Sequence, residues 1–188
     1  MHWYRHRRAD EKAVTMNDAL TPGLPDFDDP LGVLQACHER MLEHCDILQN
    51  LVSHIAQNGV DSEARSAINK VTRYFNTSAV QHHQDEEENL FPLLNRQSLK
   101  LAEIIYRLNQ EHKELSRLWD LIHAALKKPA TLADDTEFAA HVEQFCSSYR
   151  EHIDYENKEL LGMARHIISS KQLKDIGDAM ARRRGIRR

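Results

Sequence analysis

The sequence is short of the residues that build sheets, turns and disulfide frameworks. Its 188 residues include six glycines and five prolines, and aromatic residues make up 6% of the chain. This scarcity favours helices over a β-sandwich or barrel. The three cysteines, Cys37, Cys45 and Cys146, form no C-x-x-C pair. Their odd number argues against a disulfide framework and favours a reduced compartment.

Long hydrophobic runs are also missing. The first thirty residues contain no apolar run that could serve as a signal peptide, and no later segment approaches the length of a membrane span. We therefore predict a cytoplasmic protein without a membrane partner. The net charge of -4 averages over arginines at both ends and an acidic middle, so no nucleic-acid partner is predicted. The basic end, Arg182–Arg188, is either a solvated tail or a docking segment for a partner.

Helical spacing of apolar residues dominates what is present. The chain is 41% hydrophobic, enough for one domain. Four amphipathic helices with short connections predict an all-α, antiparallel up-down four-helix bundle, followed by a short C-terminal helix. We assign residues 1–28 to a disordered extension, 29–168 to the bundle, and 169–188 to the short helix and basic tail. The first helix is expected to begin at Asp29-Pro30 and end at Asn58-Gly59, the second to run from Asp61 to Pro92, and the third from Ser98 to Lys127. Asp134-x-x-Glu137 is the capping signal of the fourth helix, and the short fifth helix follows Ser169-Ser170.

Histidine is the abundant residue, with twelve copies. Each helical stripe carries one near its middle. In the second helix, in the stretch HHQDEEENLFP, His82 and Glu86 continue the stripe of Phe75 and Ala79 and point inward. His83 lies at the stripe's edge and receives no role. The fourth helix repeats the inward pair. The candidate site residues are His38, His82, Glu86, His112, His152 and Glu156.

Buried carboxylates need a compensating cation, and no lysine or arginine lies on the stripes near these levels. Four imidazoles and two carboxylates from four helices suit a pair of first-row metal ions. Iron is the leading candidate, with manganese and zinc behind it. The absence of cysteine ligands argues against a structural zinc finger, and the imidazoles argue against calcium or magnesium.

The order of these residues differs from ferritin-like bundles, which use Glu-x-x-His. The order here is His-x-x-x-Glu, and the chain resembles the hemerythrin-like (HHE cation-binding) family over roughly residues 30–165. The resemblance rests on CHERM around His38, HHQDEEENLFP, QEHKEL around His112, and HIDYE from His152. It implies a non-haem di-iron centre, expected to be oxo-bridged. The four histidines would be terminal ligands, and Glu86 and Glu156 would bridge the ions.

The chain departs from the oxygen-carrying hemerythrins, which are similar but have a second histidine one turn from that of the third helix. Leu108 and Ser116 flank His112 here. The carriers also end with His-x-x-x-x-Asp, whereas this chain has Glu156 followed by Asn157. Six protein ligands leave more than one coordination position open, which favours reactivity or sensing over oxygen storage.

The ligand set is similar to that of bacterial di-iron proteins linked to nitric-oxide defence and iron–sulfur repair. Those proteins usually carry an N-terminal cysteine-bearing domain, and this chain has no cysteine before Cys37. We predict a di-iron protein that reacts with or senses O2, peroxide or NO, with an unidentified redox partner. The alternatives are a non-catalytic metal buffer or regulatory module, and a metal-free scaffold. Whether the protein is an enzyme is left open.

Overall fold

A computed structural model describes residues 26–187. Within that range every regular element is helical, and no strand occurs, which confirms the all-α prediction. None of the helices formed by residues 26–187 combines the length and apolarity needed to cross a membrane. The prediction for residues 1–25 lies outside the described residues. Phe27 falls within the predicted extension 1–28, but it is buried against the bundle.

The long helices begin and end close to their sequence signals. The elements are α1 (Pro30–Asn58), α2 (Ser62–Asn76), α3 (Ser78–Asp85), α4 (Phe91–Leu94), α5 (Leu99–Leu126), α6 (Thr136–Glu156), α7 (Gly162–Ile167) and α8 (Ser170–Arg183). The Asp29 side chain accepts from the Gly32 N–H at the start of α1. Gly59, which ends it, has φ 70°, a conformation that favours glycine. The fourth helix is capped by Asp135 rather than Asp134.

Two wide turns interrupt helices that the sequence predicted as continuous. Glu86–Leu90 and Asn157–Leu161 are π-helical, and each segment begins at or directly after a predicted bridging carboxylate. Pro92 lacks an N–H and would clash with the carbonyl four residues earlier in a regular helix, which helps to explain the first segment. The break between α2 and α3 has a local cause as well. The Thr77 hydroxyl donates to the Arg73 carbonyl, 2.7 Å away, and competes with the helical backbone.

Contacting pairs run in opposite order along neighbouring helices, which supports an antiparallel arrangement. Asp46 and Gln49 of α1 meet Arg150 and Glu143 of α6, respectively. Between α5 and the stretch formed by α6 and the wide turn after it, three further pairs follow the same rule. These are Lys100 with Glu159, Arg107 with Tyr155, and Glu111 with His152.

The apolar core is divided into two clusters. One, here called the Phe145 cluster, includes Met41, Phe75, Leu115, Phe145 and Tyr149. The other, here called the Leu108 cluster, includes Leu34, Leu90, Leu108, Leu160 and Met180. On every long helix the predicted ligands fall between a member of one cluster and a member of the other. The polar residues therefore form a layer across the bundle, closed by apolar packing on both sides.

Candidate metal centre

All six predicted ligands lie in this layer, and each is at most 3% exposed. His38 comes from α1, His82 and Glu86 from α3 and the wide turn after it, His112 from α5, and His152 and Glu156 from α6. The ligand set itself stays a prediction. What the structure adds is the arrangement of these side chains relative to one another.

The donor atoms fall into two groups, each compact enough to surround one ion. His38, His82, Glu86 and Glu156 form the first, here called the His38 group. His83, His112 and His152 form the second, here called the His83 group. Within each group the donor atoms lie within 4.8 Å of one another. Two adjacent groups of nitrogen and oxygen donors match a two-ion centre better than a single-ion site.

Both carboxylates reach from one group to the other. Glu86 places Oε1 2.7 Å from Nε2 of His82 and Oε2 3.4 Å from Nε2 of His112. Oε2 of Glu156 lies 3.3 Å from Nε2 of His38 and 3.6 Å from Nε2 of His152. Each carboxylate therefore contacts at least one histidine of each group. This is the position that a bridging ligand requires.

The inner polar atoms lack hydrogen-bond partners. Within residues 26–187 this applies to Nε2 of His38, both ring nitrogens of His82, and all four carboxylate oxygens of Glu86 and Glu156. Even the 2.7 Å contact between His82 and Glu86 does not have hydrogen-bond geometry. Burying so many unpaired polar atoms is costly, and bound cations would satisfy the carboxylate oxygens and one ring nitrogen of each histidine. The residues present therefore fit a pair of metal ions.

Outer hydrogen bonds orient three of the histidines. Nδ1–H of His38 donates to Oδ1 of Asn157 at 3.0 Å. The same atom of His112 donates to Glu87 at 2.7 Å, and that of His152 donates to Glu111 at 2.9 Å. A proton on Nδ1 leaves Nε2 as the lone-pair donor facing the layer. The Nε2 atoms of His112 and His152 face each other at 3.2 Å, an arrangement that a cation between or beside them would stabilise.

The charge state of the metal-free layer follows from its burial. Burial alone lowers the pKa of His38, but the Glu156 and Glu86 carboxylates outweigh it and raise that pKa to about 10. Burial, reinforced by the His38 charge, lowers the pKa of His82 to about 3. Burial and the neighbouring imidazoles hold the pKa of His112 well below its usual range. The proton of His38 is thus stabilised by the two carboxylates beside it, whereas His82 and His112 stay neutral.

His83 belongs to the site although sequence phase gave it no role. Its ring stacks on that of His112 with centroids 4.0 Å apart, and it is 6% exposed. The phase argument placed it at the stripe's edge, but the small Ser116 on α5 leaves room for an imidazole from the second helix. The paired histidines of HHQDEEENLFP were the available signal. The structure therefore brings five imidazoles to the layer, and the contrast with nitrogen-rich hemerythrins is weaker than the sequence suggested.

Of the remaining acids of that stretch, Glu88 is exposed, whereas Asp85 and Glu87 face other side chains of the bundle. Glu87 binds His112, as described above. Asp85 is 1% exposed and forms ion pairs with Arg183 and with Arg184, the latter at 2.7 Å. Arg183 also donates to Glu88 at 2.8 Å. The beginning of the basic tail is thus held against the bundle by the residue that precedes Glu86.

Comparison with known proteins agrees with this geometry. The family model described as "Hemerythrin HHE cation binding domain" matches residues 29–164. The chain therefore belongs to the hemerythrin HHE cation-binding family. It is similar to a Haemophilus influenzae protein described as uncharacterized, with 26% identity over 161 residues, which cover 86% of this chain and 93% of that protein. Membership in the family establishes a cation-binding domain.

Proposed function

We propose that this chain is a non-haem di-iron protein that reacts with or senses O2, peroxide or NO. The observation that carries the proposal is the position of the two carboxylates, each in contact with histidines of both groups. A carboxylate shared in this way suits two ions held close together. Such a pair supplies redox chemistry toward small oxygen and nitrogen compounds when the ions are iron.

The donor set favours iron over harder or softer alternatives. Imidazole suits iron, zinc, copper and nickel, whereas an all-oxygen site would favour magnesium or calcium. No cysteine lies in either donor group. Manganese and zinc remain the competing ions, since carboxylates and imidazoles bind both.

The protein's own contribution is orientation and exclusion of water. Asn157, Glu87 and Glu111 fix three imidazoles with Nε2 facing inward. Apolar packing above and below keeps bulk solvent from the layer. Two octahedral ions have more coordination positions than the protein has donor atoms, even when His83 is counted. At least one position is therefore left for an exogenous ligand. That opening favours reaction or sensing over a closed structural site.

The first test is metal content per chain of aerobically purified protein, combined with its visible spectrum before and after dithionite. We expect two irons per chain and absorption bands that bleach on reduction. His82→Ala should abolish stoichiometric binding, because it removes a donor from the centre of the His38 group. His166→Ala is the matched control, since that histidine is exposed and outside both groups, and it should retain full metal content.

Turnover separates a reactive centre from a metal buffer. The reduced, iron-loaded protein should consume peroxide or bind NO with a defined spectral change. Stoichiometric zinc with a featureless visible spectrum would contradict the di-iron proposal and support the buffer. Wild-type metal content in His82→Ala would contradict the site itself.

A further inference from the structure

Two buried thiols meet at the interface between α1 and α6. Cys45 and Cys146 are both 0% exposed and belong to the Phe145 cluster. Both are free cysteines, although they stand 101 positions apart in the sequence. The Cys146 thiol donates to the main-chain carbonyl of Cys45 over 3.5 Å. The fold has therefore brought together two of the three cysteines of the chain.

Polar contacts hold the two helices in register at the level of this pair. Arg150 lies one turn after Cys146 and donates to Asp46 and Gln49 of α1, at 2.7 and 2.8 Å. Asp46 directly follows Cys45. Axes of packed helices lie about 8–10 Å apart, which brings facing Cα atoms into the range of about 4–7 Å that a disulfide spans. The helices are thus placed for a bond between the two sulfurs.

The surroundings of Cys45 favour the reduced state at rest. Contact with the Cys146 thiol, reinforced by burial, raises the pKa of the Cys45 thiol well above its usual range. Cys45 is therefore a thiol at neutral pH, and the thiolate is the form that reacts with oxidants. Oxidation should be slow, so the pair would respond to sustained exposure and not to a brief one. Burial also excludes bulky disulfide reagents and leaves small neutral oxidants.

The pair lies on the two helices that supply three of the six predicted ligands. Cys45 follows His38 by seven residues, and Cys146 precedes His152 by six. At 1.5 Å per residue these separations are about 9–11 Å along each helix. Glu156 lies further along the same helix as His152. Metal can leave a layer closed by apolar packing only when the helices separate locally, and a bond between α1 and α6 would oppose that separation.

We propose that Cys45 and Cys146 form a redox-active pair that hydrogen peroxide converts into a disulfide between α1 and α6, and that this bond slows the release of bound metal. One sulfur attacks a peroxide oxygen, which gives a sulfenic acid and releases water. The second sulfur attacks the sulfenic sulfur, forms the S–S bond and releases a second water. Two electrons pass from the sulfurs to the peroxide, and the two thiol protons leave in the water molecules.

Mass spectrometry of peroxide-treated protein tests the pairing. The metal-loaded wild type is exposed to hydrogen peroxide, quenched with catalase, alkylated in denaturant and digested without reductant. We expect the Cys45 peptide to be joined to the Cys146 peptide with the loss of two hydrogens, and dithiothreitol to separate them. Cys37→Ser is the matched control and should form the same bond, because Cys37 packs against the Leu108 cluster, on the other side of the layer. Uncrosslinked peptides, or a disulfide that includes Cys37, would overturn the proposal.

The thermal midpoint of the oxidised protein tests whether the helices already fit the bond. A cross-link between residues 101 positions apart should raise the midpoint by about 10 °C, because it restricts the unfolded chain. Cys45→Ser forms no cross-link, so peroxide should leave its midpoint unchanged. A lower midpoint in the oxidised wild type would mean that the bond forces α1 and α6 out of place, and it would overturn their assignment as a prepared pair.

Release of metal to a chelator measures the effect on the centre. The rate should be about tenfold lower in the oxidised wild type than in the reduced protein, and peroxide should not change it in Cys45→Ser. Equal rates in the two wild-type forms would overturn the effect on metal release, even if the variant does not fold. Failure of the di-iron proposal would look different, because a zinc-loaded protein should show the same disulfide and the same slower release.

Discussion

Two adjacent carboxylates, Asp85 and Glu86, are both buried, but they differ in the partners that surround them. Asp85 is 1% exposed and forms ion pairs with Arg183 and Arg184, which α8 brings to it. Glu86 is fully buried, and neither of its oxygens has a hydrogen-bond partner within residues 26–187. Its nearest charged or chargeable neighbours are the imidazoles of His38, His82 and His112.

The difference shows where the chain neutralises a buried charge by itself and where it leaves that task to a bound cation. Arginine is always protonated and forms planar paired hydrogen bonds with a carboxylate, so Asp85 is a completed structural contact. Of the imidazoles around Glu86, His38 has its pKa raised to about 10, whereas that of His82 is lowered to about 3. His38 contacts both Glu86 and Glu156, so within residues 26–187 the two carboxylates share one imidazole and no arginine or lysine. The buried layer therefore suits bound metal ions, whereas the ion pairs between Asp85 and the end of α8 stabilise the fold.

The largest expected effect is that of removing the metal. Chelation of the loaded protein should lower its thermal midpoint by about 10 °C, because ions that bind only the folded chain add about 4 kcal/mol at a thousandfold excess over Kd. Calorimetry with and without chelator measures the shift. In Glu86→Gln, which removes a bridging charge, the midpoint should not respond to chelator. A wild-type midpoint that is indifferent to chelation would contradict the distinction between the two carboxylates.

Asp85→Ala should act on stability and leave metal content unchanged. It removes the partner of two half-buried arginines, and we expect the free energy of unfolding to fall by about 3 kcal/mol. Urea titration and metal analysis of the same preparation measure both quantities. Arg182→Ala is the control. This residue is an exposed arginine of α8, and its replacement should change stability by less than about 0.5 kcal/mol. Loss of metal in Asp85→Ala would show that the two carboxylates act as one unit.

The part of the fold that sequence predicted well is the part governed by periodicity and caps. Apolar spacing placed four histidines and two glutamates on inward faces, and all six lie in the buried layer. The start of α8 at Ser169-Ser170 was also predicted correctly. These features are local, because a helix's phase and its cap depend on residues within a few turns.

What sequence missed depends on packing between distant residues or on departures from a regular helix. The two π-helical turns, Glu86–Leu90 and Asn157–Leu161, rotate the side chains that follow them relative to a regular helix. A pattern of 3.6 residues per turn cannot predict this change. The place of His83 depends on the size of Ser116 on another helix. The pairing of Asp85 with two arginines some hundred residues away depends on how α8 packs, which no local pattern encodes.

The stability of the metal-free protein should depend on pH in both directions. The pKa of His82 is lowered in the fold to about 3 from its ordinary 6.5, so the unfolded chain takes up protons first and stability is lost as pH falls below about 6.5. The pKa of His38 is raised to about 10, so its contribution is present below about 6.5 and is lost as pH rises toward 10. Thermal midpoints across this range should peak near pH 6.5.

The metal-loaded protein provides the comparison for this pH profile. Bound ions replace the His38 proton, so the alkaline decline should disappear on loading. It should also disappear in metal-free His38→Gln, which has no imidazole to deprotonate. A metal-free midpoint that rises steadily from pH 6.5 to 10 would be incompatible with these charge states.

The smallest effect concerns how α8 is held at its two ends. At its start, Ser169 and Gln172 form a reciprocal capping box, in which Oε1 of Gln172 accepts from the Ser169 N–H at 3.0 Å. Ser169→Ala should cost about 1 kcal/mol in urea titration, and the exposed Ser170→Ala next to it should cost less. If the Asp85 ion pairs dock α8 as a unit, the cost of Ser169→Ala should fall by at least half in an Asp85→Ala background, because a helix already released gains little from its cap. Strictly additive costs would mean that α8 stays docked through its apolar face, with Met180 and Ala181 in the Leu108 cluster, and that the arginines serve Asp85 alone.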